Sequence, residues 1–271
     1  MAKVDIYIVG VGIRKADQIT REVEAAIRNS VEVFHVAPKN QVDKYLKKLC
    51  PRVRDLLPLY REGVNRLETY DQMSAMVLES ALKHGPVTFA SYGHPLVYVY
   101  PSYQIITVAT LLGLSVKVLP GISALDCILI DLGLDPAYSG LQMYEATELL
   151  VRRRPLQNDV PCLIWQVGST ETAYYTRQET TAQQLKGLQR HLLKFYPPTH
   201  GATAVFSSPL PGVSSTLWRF RLMELTKYHA FLHQGMTLFI PPVEVRAMAD
   251  VKLFKRLQKQ MRSYSNSDSV R

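Results

Sequence analysis

The first 121 residues alternate short apolar runs with stretches of helical period, and few folds accept that order. Residues 4–11 (VDIYIVGV), 31–37 (VEVFHVA), 86–93 (PVTFASYG) and 114–121 (LSVKVLPG) read as strands. Between them, Thr20 caps a helix over 21–30, residues 42–49 form a short amphipathic helix, and 52–66 form a linker. A further helix over 68–85 shows its period through Met73, Met76, Val77 and Leu82 and closes at Gly85. Another follows the Pro101–Ser102 break and runs to Gly113. Apolar strands separated by helices predict a parallel α/β sheet. Ligands of such sheets bind beyond the carboxyl ends of the strands, which selects the loops at 10–12, 91–95 and 120–124.

The second half begins with a helix over 123–134 and continues with a strong strand at 160–168. A helix over 180–197 carries Leu185, Leu188, Leu192 and Leu193, and strands are expected at 202–208 and 235–242. The run LWRFRLMELT reads equally as a strand or a helix start. A basic helix follows, and the polar SNSDSVR at the end is expected to be disordered. The expected organisation is therefore α/β with two domains, 1–121 and 122–245, followed by a basic terminal segment, 246–271.

The charge of +9 is uneven: residues 246–271 hold seven basic and two acidic groups, whereas 121–245 hold ten of each. A basic end can grip an acidic partner or nucleic acid, but it also reads as a solvated helix end. Aromatic residues are not interleaved with the basic ones, so a nucleic-acid partner is not expected. Cys50, Cys127 and Cys162 are widely spaced, form no CxxC, and suit a reducing compartment. The seven histidines make no metal-binding spacing, so no metal is expected. No apolar stretch reaches the roughly 18 residues of a membrane span. The expectation is a soluble, cytoplasmic protein.

Familiar nucleotide motifs fail. Gly10 and Gly12 make a GxG turn, but Ile13, Arg14 and Lys15 stand where a dinucleotide fingerprint needs a third glycine. No GxxxxGK[ST] or GxSxG occurs. The SYGHP loop is more unusual: Gly93 permits close ligand approach, and Pro95 stiffens the exit. Ser123 follows PGI and reads as a loop residue or helix cap. Arg66 and Tyr70, one helical turn apart, share a face if both are helical, and Tyr60 in the linker can fold back on them. A guanidinium beside a phenol favours phenolate, which would make a tyrosine a base or a strong partner for an oxyanion. The alternative is packed tyrosines with an arginine reaching to water.

Taken together, the GVG loop, the YGHP loop (Tyr92 to Pro95), the PS that opens a helix and PGISA at 120–124 resemble the tetrapyrrole methylase superfamily. That resemblance implies a two-domain fold binding S-adenosylmethionine (SAM) in the cleft between domains. Most of the superfamily carries GDP where this chain has GHP. YGHP followed by PS and PGISALDCILIDLGLDP is similar to one branch, the borosin-type peptide backbone α-N-methyltransferases. That branch has a tyrosine, an arginine and a tyrosine around the reactive amide in steps of six and four, as Tyr60, Arg66 and Tyr70 are spaced. GLQMYEAT and WQVG also resemble it.

The resemblance implies Tyr60, Arg66, Tyr70 and Tyr92 as catalytic residues. It implies Gly10, Gly12, Tyr92, Gly93, His94, Pro95, Tyr98, Ser102, Gly121, Ser123, Ala124, Gln142, Tyr144, Trp165 and Gln166 as residues around the methyl donor. The expected activity is iterative α-N-methylation of backbone amides in a ribosomally made precursor peptide, with S-adenosylhomocysteine as product. The fungal members carry their substrate as a long C-terminal extension. This sequence resembles the split bacterial form, with the precursor a separate polypeptide or small helical protein and the enzyme a homodimer. The alternatives are a tetrapyrrole (precorrin-like) or nucleic-acid methyltransferase of the same fold, or a non-catalytic partner subunit.

Overall fold

The structure is a computed structural model and describes residues 3–244 and 246–267. The first sheet contains β1 (Ile6–Gly10), β2 (Glu32–His35), β3 (Val53–Asp55), β4 (Val87–Ser91) and β5 (Val116–Leu119). All pairings are parallel, in the order β3-β2-β4-β1-β5. Parallel neighbours need crossover helices, and the chain supplies α1 (Arg21–Arg28), α2 (Lys39–Leu49), α3 (Arg66–His84) and α4 (Tyr100–Leu111). Successive strand residues face opposite layers: Ile6, Ile8, Val87 and Phe89 join one core with Met73 and Val77 of α3, while Val9 and Ala90 join another with Val23 and Ile27 of α1. Both faces are covered, which is why these strands read as unbroken apolar runs.

The second sheet is mixed. It contains β6 (Gln142–Glu145), β7 (Cys162–Trp165), β8 (Gly201–Phe206), β9 (Thr216–Arg221) and β10 (Thr237–Ile240), in the order β6-β7-β10-β8-β9. Only β6 and β7 run parallel; the other neighbours are antiparallel. Cys162, Ile164, Leu238 and Ile240 face Leu185, Leu188 and Leu192 of α8 (Ala182–Leu192). Leu163, Trp165 and Phe239 face Ile128 of α5 (Ala124–Leu132). The first sheet is complete at Leu119, and α5 already packs on the second.

Several local expectations change. The linker 52–66 contains β3 and a 3-10 turn at Leu57–Leu59, and α3 begins at Arg66 rather than 68. A three-residue strand is too short to reveal a period of two. Between α5 and β7 lie α6 (Pro136–Ser139), β6 and α7 (Ala146–Val151), none of them foreseen. The ambiguous LWRFRLMELT divides into β9 and a 3-10 helix from Leu222 to Phe231. The basic helix, α9 (Val251–Ser267), starts five residues later than 246, where the Asp250 carboxylate accepts the Leu253 N–H as a cap. It includes Ser265, Asn266 and Ser267, which were expected to be disordered; residues 268–271 of that stretch lie outside the described residues.

Candidate functional site

Gly10, Ser91 and Leu119 end β1, β4 and β5 side by side, so the loops selected from the sequence emerge together. They lock onto one another. A Cβ on Gly10 would stand 2.3 Å from the Gly93 carbonyl oxygen, and one on Gly121 would stand 2.5 Å from both that oxygen and the Gly10 carbonyl carbon. Gly12 and Gly93 exchange backbone hydrogen bonds, Gly93 N–H to Gly12 at 2.9 Å and Gly12 N–H to Gly93 at 3.3 Å. The Gln18 carboxamide oxygen accepts the N–H groups of Ile13 and Arg14. Gly10 and Gly121 are thus required by backbone meeting backbone, and Gly12 and Gly93 by their positive φ of 76° and 72°. Ser123 likewise turns inward and forms a reciprocal cap with Asp126 ahead of Ala124, the first residue of α5. His94 Nδ1 accepts the Leu96 N–H, which tightens the turn around Pro95.

Tyr60, Arg66 and Tyr70 do come together. Asn65 caps α3, which places Arg66 at its first position and Tyr70 one turn later. The 3-10 turn at Leu57–Leu59 brings Tyr60 back, its ring edge-on to Tyr70 with centroids 6.2 Å apart. All three line a cavity of about 650 Å³. Tyr98 and Gln166 line it too, and with Arg66 and Tyr70 they also line a second cavity of about 470 Å³ that reaches Leu67, Tyr100 and Tyr103. Arg66, Tyr70, Tyr98 and Gln166 therefore form a wall shared by both spaces. Tyr92 belongs to a smaller space of about 150 Å³ that also touches Tyr60, Tyr70 and Tyr98.

The half of the chain that carries the second sheet closes this site. A segment leaving β7 lies across residues 62–66: Gly63 N–H donates to Tyr175, Tyr175 N–H to Val64 and Arg66 N–H to Ala173, each at 2.9 Å. The Arg66 guanidinium donates to the Thr172 carbonyl. The Tyr175 ring lies 4.9 Å from that of Tyr60. Tyr175, Arg177 and Gln234 extend the larger cavity, and sequence reasoning missed all three. The available signal was position alone, since residues 169–178 follow the carboxyl end of a strand.

Tyr98 (φ 56°) and Gln166 (φ 57°) occupy the left-handed region, which costs a non-glycine residue roughly 1–2 kcal/mol. Such outliers gather at functional sites. The electrostatics correct the expectation of phenolate. Burial, reinforced by the neighbouring Tyr70, holds the Tyr60 phenol well above the usual tyrosine range, and the opposing pull of Arg66 is smaller. Tyr92 and Tyr98 are each pushed up to about 12, mainly by burial. These hydroxyls are protonated donors at neutral pH. Two buried polar atoms beside the site lack a protein partner, Trp165 Nε1 and Ser102 Oγ. The Trp165 ring packs against that of Tyr98 at a tilt, and Ser102 sits in the first turn of α4.

The remaining expected residues lie apart. The Gln142 side chain is bonded to the backbone of Gln157 and Val160, bracing the chain between α7 and β7. Tyr144 packs on the core beneath the second sheet. Among the described residues, no group of three or more His, Cys, Asp and Glu side chains is arranged to hold a metal ion. No helix there is long and apolar enough to cross a membrane.

Comparison with known proteins adds three findings. The profile of the Tetrapyrrole (Corrin/Porphyrin) Methylases matches residues 5–207. A Gymnopus fusipes protein, the methyltransferase/ribosomally synthesized cyclic peptide gymnopeptides precursor, is 31% identical over 243 residues, covering 89% of this chain and 58% of the relative. The corresponding omphalotin A precursor of Omphalotus olearius is 28% identical over 255 residues, 93% of this chain and 61% of the relative. This chain thus spans less than two thirds of either relative. Among solved structures, uroporphyrin-III C-methyltransferase from Thermus thermophilus, complexed with S-adenyl homocysteine, superposes with a TM-score of 0.60. That match has 14% identity and covers 87% of this chain and 96% of the other, a likeness of fold.

Proposed function

Because this chain belongs to the tetrapyrrole (corrin/porphyrin) methylase family, we propose that it is a SAM-dependent methyltransferase acting on backbone amides of a separate peptide. The observation that carries this reading is Arg66 beside two tyrosines on the wall of a cavity built by both domains. Relatives whose names join a methyltransferase to a peptide precursor support it. The residues fit a methyl donor: Trp165 Nε1 and Ser102 Oγ are buried donors still to be satisfied, next to Tyr98 and the loop of Tyr92. In this reading Trp165, Ser102, Tyr98 and Tyr92 hold SAM in the cleft between domains 1–121 and 122–245, and when bound it supplies an electrophilic methyl group.

An amide nitrogen is a poor nucleophile because its lone pair is delocalised into the carbonyl. Arg66 stabilises the negative charge that develops on the amide oxygen as the N–H proton leaves. Tyr60, kept protonated by burial, donates a hydrogen bond to the same oxygen. Tyr70, edge-on to Tyr60, is then the tyrosine left to relay the N–H proton, directly or through water. One N–C bond forms, one S–C bond breaks, and one proton leaves with the solvent. The second cavity, reached past the shared wall, leaves room for the peptide on either side of the reacting residue. The same reading makes the enzyme a homodimer, and the apolar side chains of Leu111 and Ile130, 81% and 80% exposed, are surface that a partner copy would cover.

The test is incubation with SAM and a candidate precursor, followed by intact and fragment mass spectrometry. Two candidates serve: a small helical protein with an apolar C-terminal stretch, if one is encoded beside this gene, and the part of the Omphalotus olearius relative that this chain does not match. Methyl groups on backbone nitrogens are expected. Binding of S-adenosylhomocysteine without methylation of either peptide would defeat the peptide reading while leaving the family intact.

A further inference from the structure

The reaction assigned above needs Tyr60 and Arg66 held at fixed positions, and their own half of the chain holds them only in part: Tyr60 packs on the core of the first sheet and against Tyr70. Tyr60 follows a short 3-10 turn, and Arg66 is the first residue of α3, where side chains have only half a helix to lean on. What restrains both is the extended segment 172–177 of the second domain. Its ends are pinned. The Thr180 hydroxyl lies 2.8 Å from the carbonyls of both Gly168 and Leu232 and has one proton to share between them, and the Thr170 hydroxyl donates to Val167 at 2.7 Å. Its middle is pinned to the first domain by the three backbone hydrogen bonds around Gly63, Val64 and Arg66. Glu62 adds a latch outside the cavity: its carboxylate accepts the Arg177 N–H at 2.8 Å and the Thr176 hydroxyl.

We propose that this segment is a strap through which the second domain sets the geometry of the catalytic arginine and tyrosine, with Tyr175 as the positioning residue for Tyr60. The Tyr175 ring lies 33° from the plane of Tyr60, covering one face, while Tyr70 meets Tyr60 edge-on. Between them the phenol of Tyr60 has one direction left, into the cavity. Ala173 and Thr172 do the same for Arg66 by taking its backbone N–H and its guanidinium. The site is therefore complete only while the strap is docked. Opening it would uncover the larger cavity and disorganise the trio in one motion. The proposal rests on the roles given above to Tyr60 and Arg66 but reaches residues that neither spacing nor resemblance singled out.

Two measurements separate this from a packing role. The first needs no peptide: hydrogen exchange followed by mass spectrometry on segments 60–66 and 172–177, with S-adenosylhomocysteine affinity measured alongside. Tyr175→Ala and Glu62→Gln should each raise exchange in both segments together, while the Glu62→Gln protein, changed only at the latch outside the cavity, keeps its affinity within about twofold. The second is single-turnover methylation of the unmatched part of the Omphalotus olearius relative. Tyr175→Ala should slow it by about 10²-fold, the scale of a misplaced reacting group. Tyr175→Phe should restore most of the rate, since the ring does the positioning. If Tyr175→Ala does not fold, Tyr175→Leu takes its place. Unchanged exchange in Tyr175→Ala would overturn the proposal, and so would a Tyr175→Phe variant as slow as the alanine. A wild-type protein that methylates neither peptide defeats the functional reading instead, and the exchange experiment then decides the strap alone.

Discussion

The rings of Tyr98 and Trp165 meet at a tilt of 37° with centroids 5.4 Å apart, and Gln166, the residue after Trp165, shares the left-handed backbone of Tyr98. A strained residue has thus been placed on each side of one aromatic contact. Both strained residues line both large cavities.

Relieving that strain should separate stability from activity. Gln166→Gly removes the Cβ that makes φ 57° costly. The protein should gain about 1 kcal/mol, a rise of about 2–4 °C in melting temperature. The same change removes a carboxamide from the cavity wall and should slow methylation. Melting by circular dichroism and single-turnover rates check both halves. A melting temperature that falls would mean that the Gln166 side chain holds the fold.

Glycines of opposite character should respond differently to alanine. At Gly121 the new methyl meets backbone atoms at 2.5 Å that cannot retreat, so Gly121→Ala should cost about 3 kcal/mol, the upper end for overpacking. Gly63 has φ +72°, and nothing lies within 4 Å of the place a methyl would occupy, so Gly63→Ala should cost only the left-handed penalty, about 1 kcal/mol. Urea unfolding midpoints measure the difference. Equal costs would mean that the three loops do not close on one another as described.

Arg66 should be the most sensitive residue of the site. Arg66→Ala removes the charge that meets the developing oxyanion and should slow methylation by at least about 10²-fold. Arg66→Lys should not rescue it, because an ammonium lacks the planar fork that bonds Thr172 while facing the cavity. Affinity for S-adenosylhomocysteine should persist in both variants. Titration calorimetry beside single-turnover rates tests this, and near wild-type rates for Arg66→Ala would end the mechanism.

The pH dependence follows from the sign of the Tyr60 shift. Its folded pKa is raised above the ordinary value of about 10, so the protonated form that donates a hydrogen bond persists past that pH. Methylation should therefore show no descending limb between about pH 7 and 10 attributable to this phenol. Single-turnover rates across that range check it. A falling limb that Tyr60→Phe abolishes would show that the phenol titrates normally.

Much of this was legible in the sequence for a local reason. Strands β1, β2 and β4 of the first sheet are largely buried on both faces, so each declared itself as an apolar run, and the six-and-four spacing of Tyr60, Arg66 and Tyr70 survived folding because Asn65 starts a helix in register with it. The short strands β3 and β6 carry too few residues for a period. Gln142 looked like a cavity residue, but its carboxamide is consumed by Gln157 and Val160, a contact that no motif reports. The phenolate expectation weighed the charge of Arg66 and could not weigh burial, which proved larger. Tyr175 and Arg177 stayed hidden because residues 169–178 have no periodicity and their partners, Tyr60 and Glu62, lie more than a hundred residues away; Gln234 stayed hidden in the loop before β10, where its side chain donates to Thr176.

The position of β1 has a consequence for how the chain is made. Ile6–Gly10 leaves the ribosome before both of its neighbours in the sheet, Val87–Ser91 and Val116–Leu119, which are synthesised much later. Ile6, Ile8 and Val9 must wait without strand partners, exposed to wrong ones, through most of the first domain's synthesis. Arg66 waits in the same way for Thr172 and Ala173, more than a hundred residues further on. A nascent chain of this protein therefore holds an early apolar strand in reserve, and the reactive centre cannot assemble until the segment after β7 has emerged.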